Sequence, residues 1–307
     1  MTLKNLIEAK QLLEKGVLDS LIEDAAKFEE LDETNAIPQL LEGKVLAALF
    51  YEPSTRTRFS FETAMLKLGG EVISTESASH FSSVTKGETL EDTIKIIGGY
   101  ADVIVMRHPE KGASKKAAAV SPVPILNAGD GQGEHPSQAL LDLYTIKKEI
   151  GRLDDFKIAM VGDLKNGRTI HSLVKILAER KNVLIKLVAP AQLQLPDEYI
   201  KLLEEKKARF EKLSDLDQAL DCDVVYMTRI QKERFESKEE YEKVKDCFVF
   251  GRKELDKFNS KGIILHPLPR VNEISPEIDS DPRAAYFRQA KNGMYARMAL
   301  LKMVLGK

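Results

Sequence analysis

Tryptophan is absent from the 307 residues, and Cys222 and Cys247 are the only cysteines. Two cysteines without C-x-x-C spacing make neither a disulfide framework nor a zinc finger. Long apolar runs are also missing. The stretch from Val45 to Tyr51 is far too short to cross a bilayer, and the N-terminal Met-Thr-Leu-Lys-Asn-Leu-Ile-Glu lacks the apolar core of a signal peptide. Neither sign of charge dominates: 46 Lys and Arg face 48 Asp and Glu, a formal net charge of −2. No global field exists to hold nucleic acid or an anionic membrane, so any anion site must be a local cluster. The five histidines, His80, His108, His135, His171 and His266, include no pair with the helical spacing and intervening Glu of zinc hydrolases. No G-x-S-x-G elbow is present, and neither cysteine has a His nearby in sequence. Metal, cofactor and covalent nucleophile are therefore not expected, and the chain reads as a cytoplasmic globular protein.

What the chain does have is 43% hydrophobic residues, 31% charged residues and a length suited to two domains of roughly 150 residues each. Short β-rich runs alternate with amphipathic stretches, the pattern of α/β domains with parallel sheets. Strands are expected at Val45–Phe50, Glu71–Ser74, Val103–Met106 and Val123–Leu126. A second series is expected at Lys157–Val161, Leu184–Val188, Val224–Met227 and Gly262–Leu265. Their near-continuous apolar character predicts sheets covered by helices on both faces. Phe61, Ala64, Met65 and Leu68 mark one helical stripe, and Ile170, Leu173, Val174 and Leu177 another. A helix from about Pro136 to Ile150 ends at a break near residues 151–155, after which the alternation restarts. The expectation is two doubly wound parallel-sheet domains, 1–150 and 151–284, joined by helices, with a terminal helix at about 285–307 packing back onto the first.

In open parallel sheets ligands bind at the carboxyl ends of the strands. Of the six strand ends that carry polar motifs, five hold an arginine: Arg56 and Arg58, Arg107, Arg168, Arg229 and Arg270. That distribution predicts an anion site between the two domains. Ser54-Thr55-Arg56-Thr57-Arg58 lies between a strand and a helix start, where hydroxyls, unpaired amides and the helix dipole together cradle phosphate; ordinary N-capping is the plainer alternative. Gly162 to Thr169 resembles a P-loop, but Arg168 stands where the nucleotide motif needs Lys, so a carboxylate is the better ligand there. His135 opens a helix with Pro136 at its first position, which favours a neutral imidazole able to donate to a carbonyl oxygen; a structural cap is the alternative. Lys86, in a polar loop, reads on chemistry alone as solvated.

Taken together, Ser54-Thr55-Arg56-Thr57-Arg58, His135-Pro136-Ser137-Gln138 and His266-Pro267-Leu268-Pro269-Arg270 resemble the carbamoyltransferase family in order and approximate spacing, from about Leu41 to the C-terminus. The resemblance, in its details to the members that act on aspartate, implies transfer of a carbamoyl group from carbamoyl phosphate to the amine of L-aspartate, an early step of pyrimidine synthesis. It implies that Ser54, Thr55, Arg56 and Thr57 hold the phosphate. Arg107, His135 and Thr57 would face the carbonyl oxygen, and Gln138 the carbamoyl amide. Arg168, Arg229 and Gln231 would take the carboxylates of aspartate, near the Pro267-Leu268 backbone. It further implies a homotrimer in which Lys86 and Ser82 (or the adjacent Ser83) enter the neighbouring subunit's site. That overrides the reading of Lys86 as solvated. The stretch Arg107–Lys116 resembles forms that associate with zinc-bearing regulatory chains. Arginines on two domains imply closure around the two anions. An ornithine enzyme is the nearest alternative, but its H-C-L-P motif is replaced here by His266-Pro267-Leu268-Pro269. A non-catalytic scaffold is the alternative from another class, and it predicts lost loop residues where none is lost.

Overall fold

The computed structural model of the chain describes residues 3–76, 87–235 and 237–306. The chain divides into two compact units, Met1–Tyr144 with Lys291–Lys307, and Thr145–Ala290.

In the first unit, helix α1 (Val17–Glu33) precedes β1 (Val45–Phe50), α2 (Thr55–Lys67), β2 (Glu71–Glu76), α3 (Leu90–Gly98), β3 (Val103–His108), α4 (Ala113–Val120) and β4 (Ile125–Asp130). The sheet is wholly parallel, in the order β2-β1-β3-β4. Leu46 to Phe50 and Val103 to Met106 are buried because both faces of these central strands are covered. By contrast β2 is mostly exposed and polar. It lies at the sheet edge, so the expected apolar continuity fails there. Charged and small polar residues on an edge strand oppose pairing with another chain. The other edge is covered by the N-terminal segment: Leu6 donates to Ile125 and accepts from Asn127, and Asn5 Oδ1 accepts from the Ile125 amide.

β4 runs to Asp130, so Asn127 to Asp130, expected as loop, is strand. The Asn127 side chain stabilises this extension, donating to Ile7 O and accepting from Gly129 N.

Helix α5 (Pro136–Ile150) leads into the second unit. There β5 (Lys157–Val161), α6 (Arg168–Leu177), β6 (Leu184–Val188), α7 (Asp197–Glu205), β7 (Arg209–Leu213), β8 (Val224–Met227), α8 (Lys238–Glu242), α9 (Arg252–Lys257) and β9 (Ile263–Leu265) follow. The parallel order is β7-β6-β5-β8-β9. Strand β7 was not expected from the sequence. Its Arg-Phe-Glu-Lys-Leu is largely exposed at the edge, so it carries little hydrophobic signal. All four stripe residues of α2 and its C-cap, and all four of α6, are buried as their spacing predicts.

Helix α10 (Tyr286–Leu305) closes the chain, and its C-terminal part packs within the first unit. There Lys302 pairs with Asp24, and the Tyr295 hydroxyl donates to Asp32. Residues 295–301 are buried on every side, wider than the single stripe the spacing predicted. Both crossing helices, α5 and α10, contain the division between units.

Candidate active site

Each sheet changes winding direction once, between β1 and β3 in the first unit and between β5 and β8 in the second. At such a switch the connections leave to opposite sides and open a crevice at the carboxyl ends. The ends of those four strands and the segments that follow them carry Ser54–Thr57, Arg107, Arg168 and Arg229 with Gln231.

In the first unit, Ser54 caps α2 through its backbone carbonyl, which accepts from Arg58 N at 3.1 Å. Its hydroxyl makes no cap bond and instead accepts from Arg107 Nη1 at 3.0 Å. Arg107 stands in register with Phe50 at the end of β3, and its carbonyl accepts from the Tyr51 amide. Glu52 Oε2 accepts from Arg107 Nε at 3.4 Å. Thr57 is buried and Arg56 exposed in the first turn of α2, where amide hydrogens lack intrahelical partners. Arg58 has a different fate. It pairs with Glu62 and Glu76, so it braces α2 against β2.

His135 is buried at the start of α5, its Nδ1 3.4 Å from the Ser137 hydroxyl. Gln138, three positions further on in the first turn, is buried and donates from Nε2 to Asp142 Oδ1 at 2.8 Å. His108, by contrast, is structural. Its ring packs on Tyr51 at 4.7 Å, its Nδ1 accepts from the Glu110 amide, and burial pushes its pKa down.

In the second unit, Gly162 ends β5 with φ +114°, and a Cβ there would lie 2.3 Å from the Thr228 carbonyl. The Thr228 hydroxyl donates to Val161 O and accepts from Asp163 N, so the ends of β5 and β8 are joined. Asp163 is fully buried. Its carboxylate accepts from the Asn166 amide and side chain, and from Gln231 N at 3.4 Å. It thereby ties the Arg168 loop to the Gln231 loop. Burial raises its pKa despite those bonds.

Arg168 is the first residue of α6 after Gly167. The Arg229 guanidinium is held by both oxygens of Glu233, which raises its pKa through that bond foremost. After β9, the Leu268 amide donates into His266 Nδ1 at 2.7 Å, so the His266 proton sits on Nε2 and points to Glu273 Oε1, also at 2.7 Å. Glu273 Oε2 accepts from the Val271 and Asn272 amides. Leu268 has φ +56° and precedes a cis proline. Arg270 belongs to the fold. It pairs with Asp279 and stacks on Tyr286 and Phe287. Of the arginines after the strands, Arg58 and Arg270 are therefore braces.

Lys86 and Ser82, with Ser83, lie outside the described residues. The sequence alone does not mark the carboxylates Glu52, Asp142, Glu233 and Glu273, and it offers Asp163 only as a stray acid inside the Gly162–Thr169 loop. The signal that could have found them is charge balance, since guanidinium groups gathered at strand ends need nearby anions to stay in place when empty. Among the described residues no group of three His, Cys, Asp or Glu is arranged to hold a metal, and no helix is long and apolar enough to cross a membrane.

Comparison with known proteins bears on this geometry. Residues 4–148 match the carbamoyl-P binding domain of aspartate/ornithine carbamoyltransferases, and residues 154–304 match their Asp/Orn binding domain. The chain is 52% identical to aspartate carbamoyltransferase 3, chloroplastic, of Pisum sativum, over 99% of this chain and 78% of that protein. It resembles the solved catalytic subunit of the Methanocaldococcus jannaschii aspartate transcarbamoylase with a TM-score of 0.92 and 52% identity, over 99% of this chain and 98% of the other. The Trypanosoma cruzi aspartate transcarbamoylase solved with carbamoyl phosphate and aspartate is similar at a TM-score of 0.92 and 40% identity, over 99% and 96%. With both domain descriptions matched in order across almost its whole length, the chain belongs to the aspartate/ornithine carbamoyltransferase family.

Proposed function

We infer that this chain transfers the carbamoyl group of carbamoyl phosphate to the amine of L-aspartate, giving N-carbamoyl-L-aspartate and phosphate at an early step of pyrimidine synthesis. The observation that carries the reading is the Arg107–Ser54 hydrogen bond at the first switch point, which sets a guanidinium and a hydroxyl beside the N-terminus of α2. Together they suit a dianionic phosphate with an adjoining carbonyl.

The first unit is the carbamoyl phosphate half. Ser54, Thr55, Arg56 and Thr57 hold the phosphate, and Gln138 meets the carbamoyl amide. Arg107, His135 and Thr57 face the carbonyl oxygen. The second unit is the aspartate half, in which Arg168, Arg229 and Gln231 take the carboxylates, with the Pro267-Leu268 backbone alongside. Attack of the neutral amine on the carbonyl carbon builds negative charge on its oxygen. Donors already aimed there stabilise the transition state more than the bound substrate. Loss of one such donor costs about 10²–10³ in turnover. The departing phosphate takes the amine proton, so no protein base, metal or covalent intermediate enters the scheme.

The active assembly is a homotrimer in the cytoplasm, with Lys86 and Ser82 supplied to the neighbouring site. Zinc-bearing regulatory chains join it, a reading supported by the resemblance of Arg107–Lys116 to forms that associate with such chains. Support for an aspartate rather than an ornithine acceptor comes from Arg229 and Arg168, which would repel a cationic side chain, and from the absence of cysteine in His266-Pro267-Leu268-Pro269. The test is ureido product formation from carbamoyl phosphate with L-aspartate and L-ornithine as parallel acceptors, and Arg56→Ala as control. Product with aspartate alone, abolished in the control, is expected. Product with ornithine overturns the acceptor assignment, and no product with either overturns the reading.

A further inference from the structure

We propose that Asp142 is a specificity-determining positioning residue, which fixes the Gln138 amide so that its oxygen faces the donor substrate and selects a carbamoyl over an acetyl group. The proposal rests on the assignment of Gln138 to the carbamoyl amide. Gln138 and Asp142 stand four apart on α5, and the Gln138 side chain ends 2.8 Å from Asp142 Oδ1. Asp142 is fully buried, and an ionised carboxylate only accepts hydrogen bonds. The Gln138 NH₂ must therefore turn toward Asp142, which leaves Oε1 directed the other way.

The cation that interacts with Asp142 is on α10. Arg297 of α10 is buried at 3% exposure, its guanidinium 4.9 Å from the centre of the Phe61 ring. Burial lowers the Arg297 pKa to about 10, and the Asp142 carboxylate acts against that shift. A buried carboxylate without such a cation would protonate and could then donate, and the amide direction would be lost.

The chemical consequence is selectivity. Carbamoyl phosphate and acetyl phosphate match in shape and charge, and they differ by NH₂ against CH₃. A fixed acceptor rewards the NH₂ and leaves Oε1 unpaired against the methyl, a difference that polar sites exploit strongly. In Asp142→Asn the new amide both donates and accepts, so Gln138 is free to present either end.

The experiment measures the affinity of carbamoyl phosphate and of acetyl phosphate, each as a competing ligand, in the unchanged enzyme, in Asp142→Asn, in Gln138→Ala and in the double variant. Expected is a roughly tenfold fall in the carbamoyl-to-acetyl affinity ratio for Asp142→Asn. The acetyl phosphate affinity stays nearly constant, and no further fall occurs in the double variant. Parallel weakening of both ligands would make Asp142 merely structural and overturn the proposal, as would an unchanged ratio. Should Asp142→Asn fail to fold, a neutron structure of the unchanged protein decides the same point. Deuterons on the Gln138 nitrogen facing Asp142 support the proposal, and deuterons turned away overturn it. That readout does not need turnover, so a failure of the proposed reaction would be seen separately in the product assay.

Discussion

Asp163 shows how a single buried side chain carries function without touching a reacting atom. Its carboxylate collects the Asn166 and Gln231 amides, one from each loop at the second switch point. Removing it leaves buried donors unsatisfied, at about 1–3 kcal/mol for the group. Asp163→Ala is expected to raise the KM for aspartate about ten- to hundredfold, while the affinity for carbamoyl phosphate stays within about twofold. Steady-state kinetics with each substrate varied in turn checks this, and equal weakening of both would show that the loop tie is not what Asp163 supplies. Residue type and place in the chain made Ser54, Arg107, His135 and Arg229 legible as candidates. Asp163 was visible in the sequence only as a stray acid, because its partners lie 3 and 68 positions away and meet it through folding alone.

Among elements, the strand ends bear the most constraint. Gly162 has φ +114°, and a Cβ added to it would lie 2.3 Å from the Thr228 carbonyl oxygen. Gly162→Ala therefore combines an unfavourable φ with a backbone clash and should cost about 2–3 kcal/mol, read as a lowered unfolding midpoint in denaturant. A cost under about 0.5 kcal/mol would show that β5 and β8 can part without penalty.

The turn after β9 depends instead on Glu273. Burial, the largest single influence, would raise its pKa, but the hydrogen bond and charge of His266 together with backbone amides outweigh it and hold the carboxyl below its ordinary 4.5. A depressed folded pKa means that the stabilisation is present above the unfolded value and is lost as pH falls through the folded one. Glu273→Gln should therefore lower stability by about 1–3 kcal/mol at neutral pH. The difference should shrink as pH drops below 4.5. Unfolding midpoints of both proteins across that range test it, and a gap that widens toward acid would reverse the sign. At this scale, the central strands and the α2 and α6 stripes were readable, because burial on defined faces imposes a period on the sequence. Strand β7 was not, since an exposed edge strand is held by backbone hydrogen bonds that leave no pattern in side-chain type.

At the scale of the whole molecule, the proposed sharing of sites between subunits makes a prediction about mixtures. Lys86→Ala and Arg168→Ala chains are each expected to be nearly inactive. Dissociated together and reassembled in equal amounts, they should recover activity, because some sites then combine an intact Arg168 with a neighbour's intact Lys86. Random assortment in a closed ring of three leaves roughly a quarter of sites whole. Recovery near that level supports the shared trimer, and none at all would mean that each chain builds its own site.

The amino-acid sequence by itself determined the alternation of strands and helices, the two-part α/β organisation and the polar motifs that follow the strands. These are local properties, written as periodicity and as residue type at strand ends. Tertiary structure decided what each charge meets. Arg58 and Arg270 look like Arg107 in sequence, yet they pair with Glu62, Glu76 and Asp279, while Arg107 donates to the Ser54 hydroxyl at the first switch point. It also decided which donors the acids Glu52, Asp163, Glu233 and Glu273 accept from, and that Gln138 turns its nitrogen to Asp142. A carboxylate's role depends on which donors surround it after folding, and two of those donors, Arg107 for Glu52 and Gln231 for Asp163, come from residues distant in the chain.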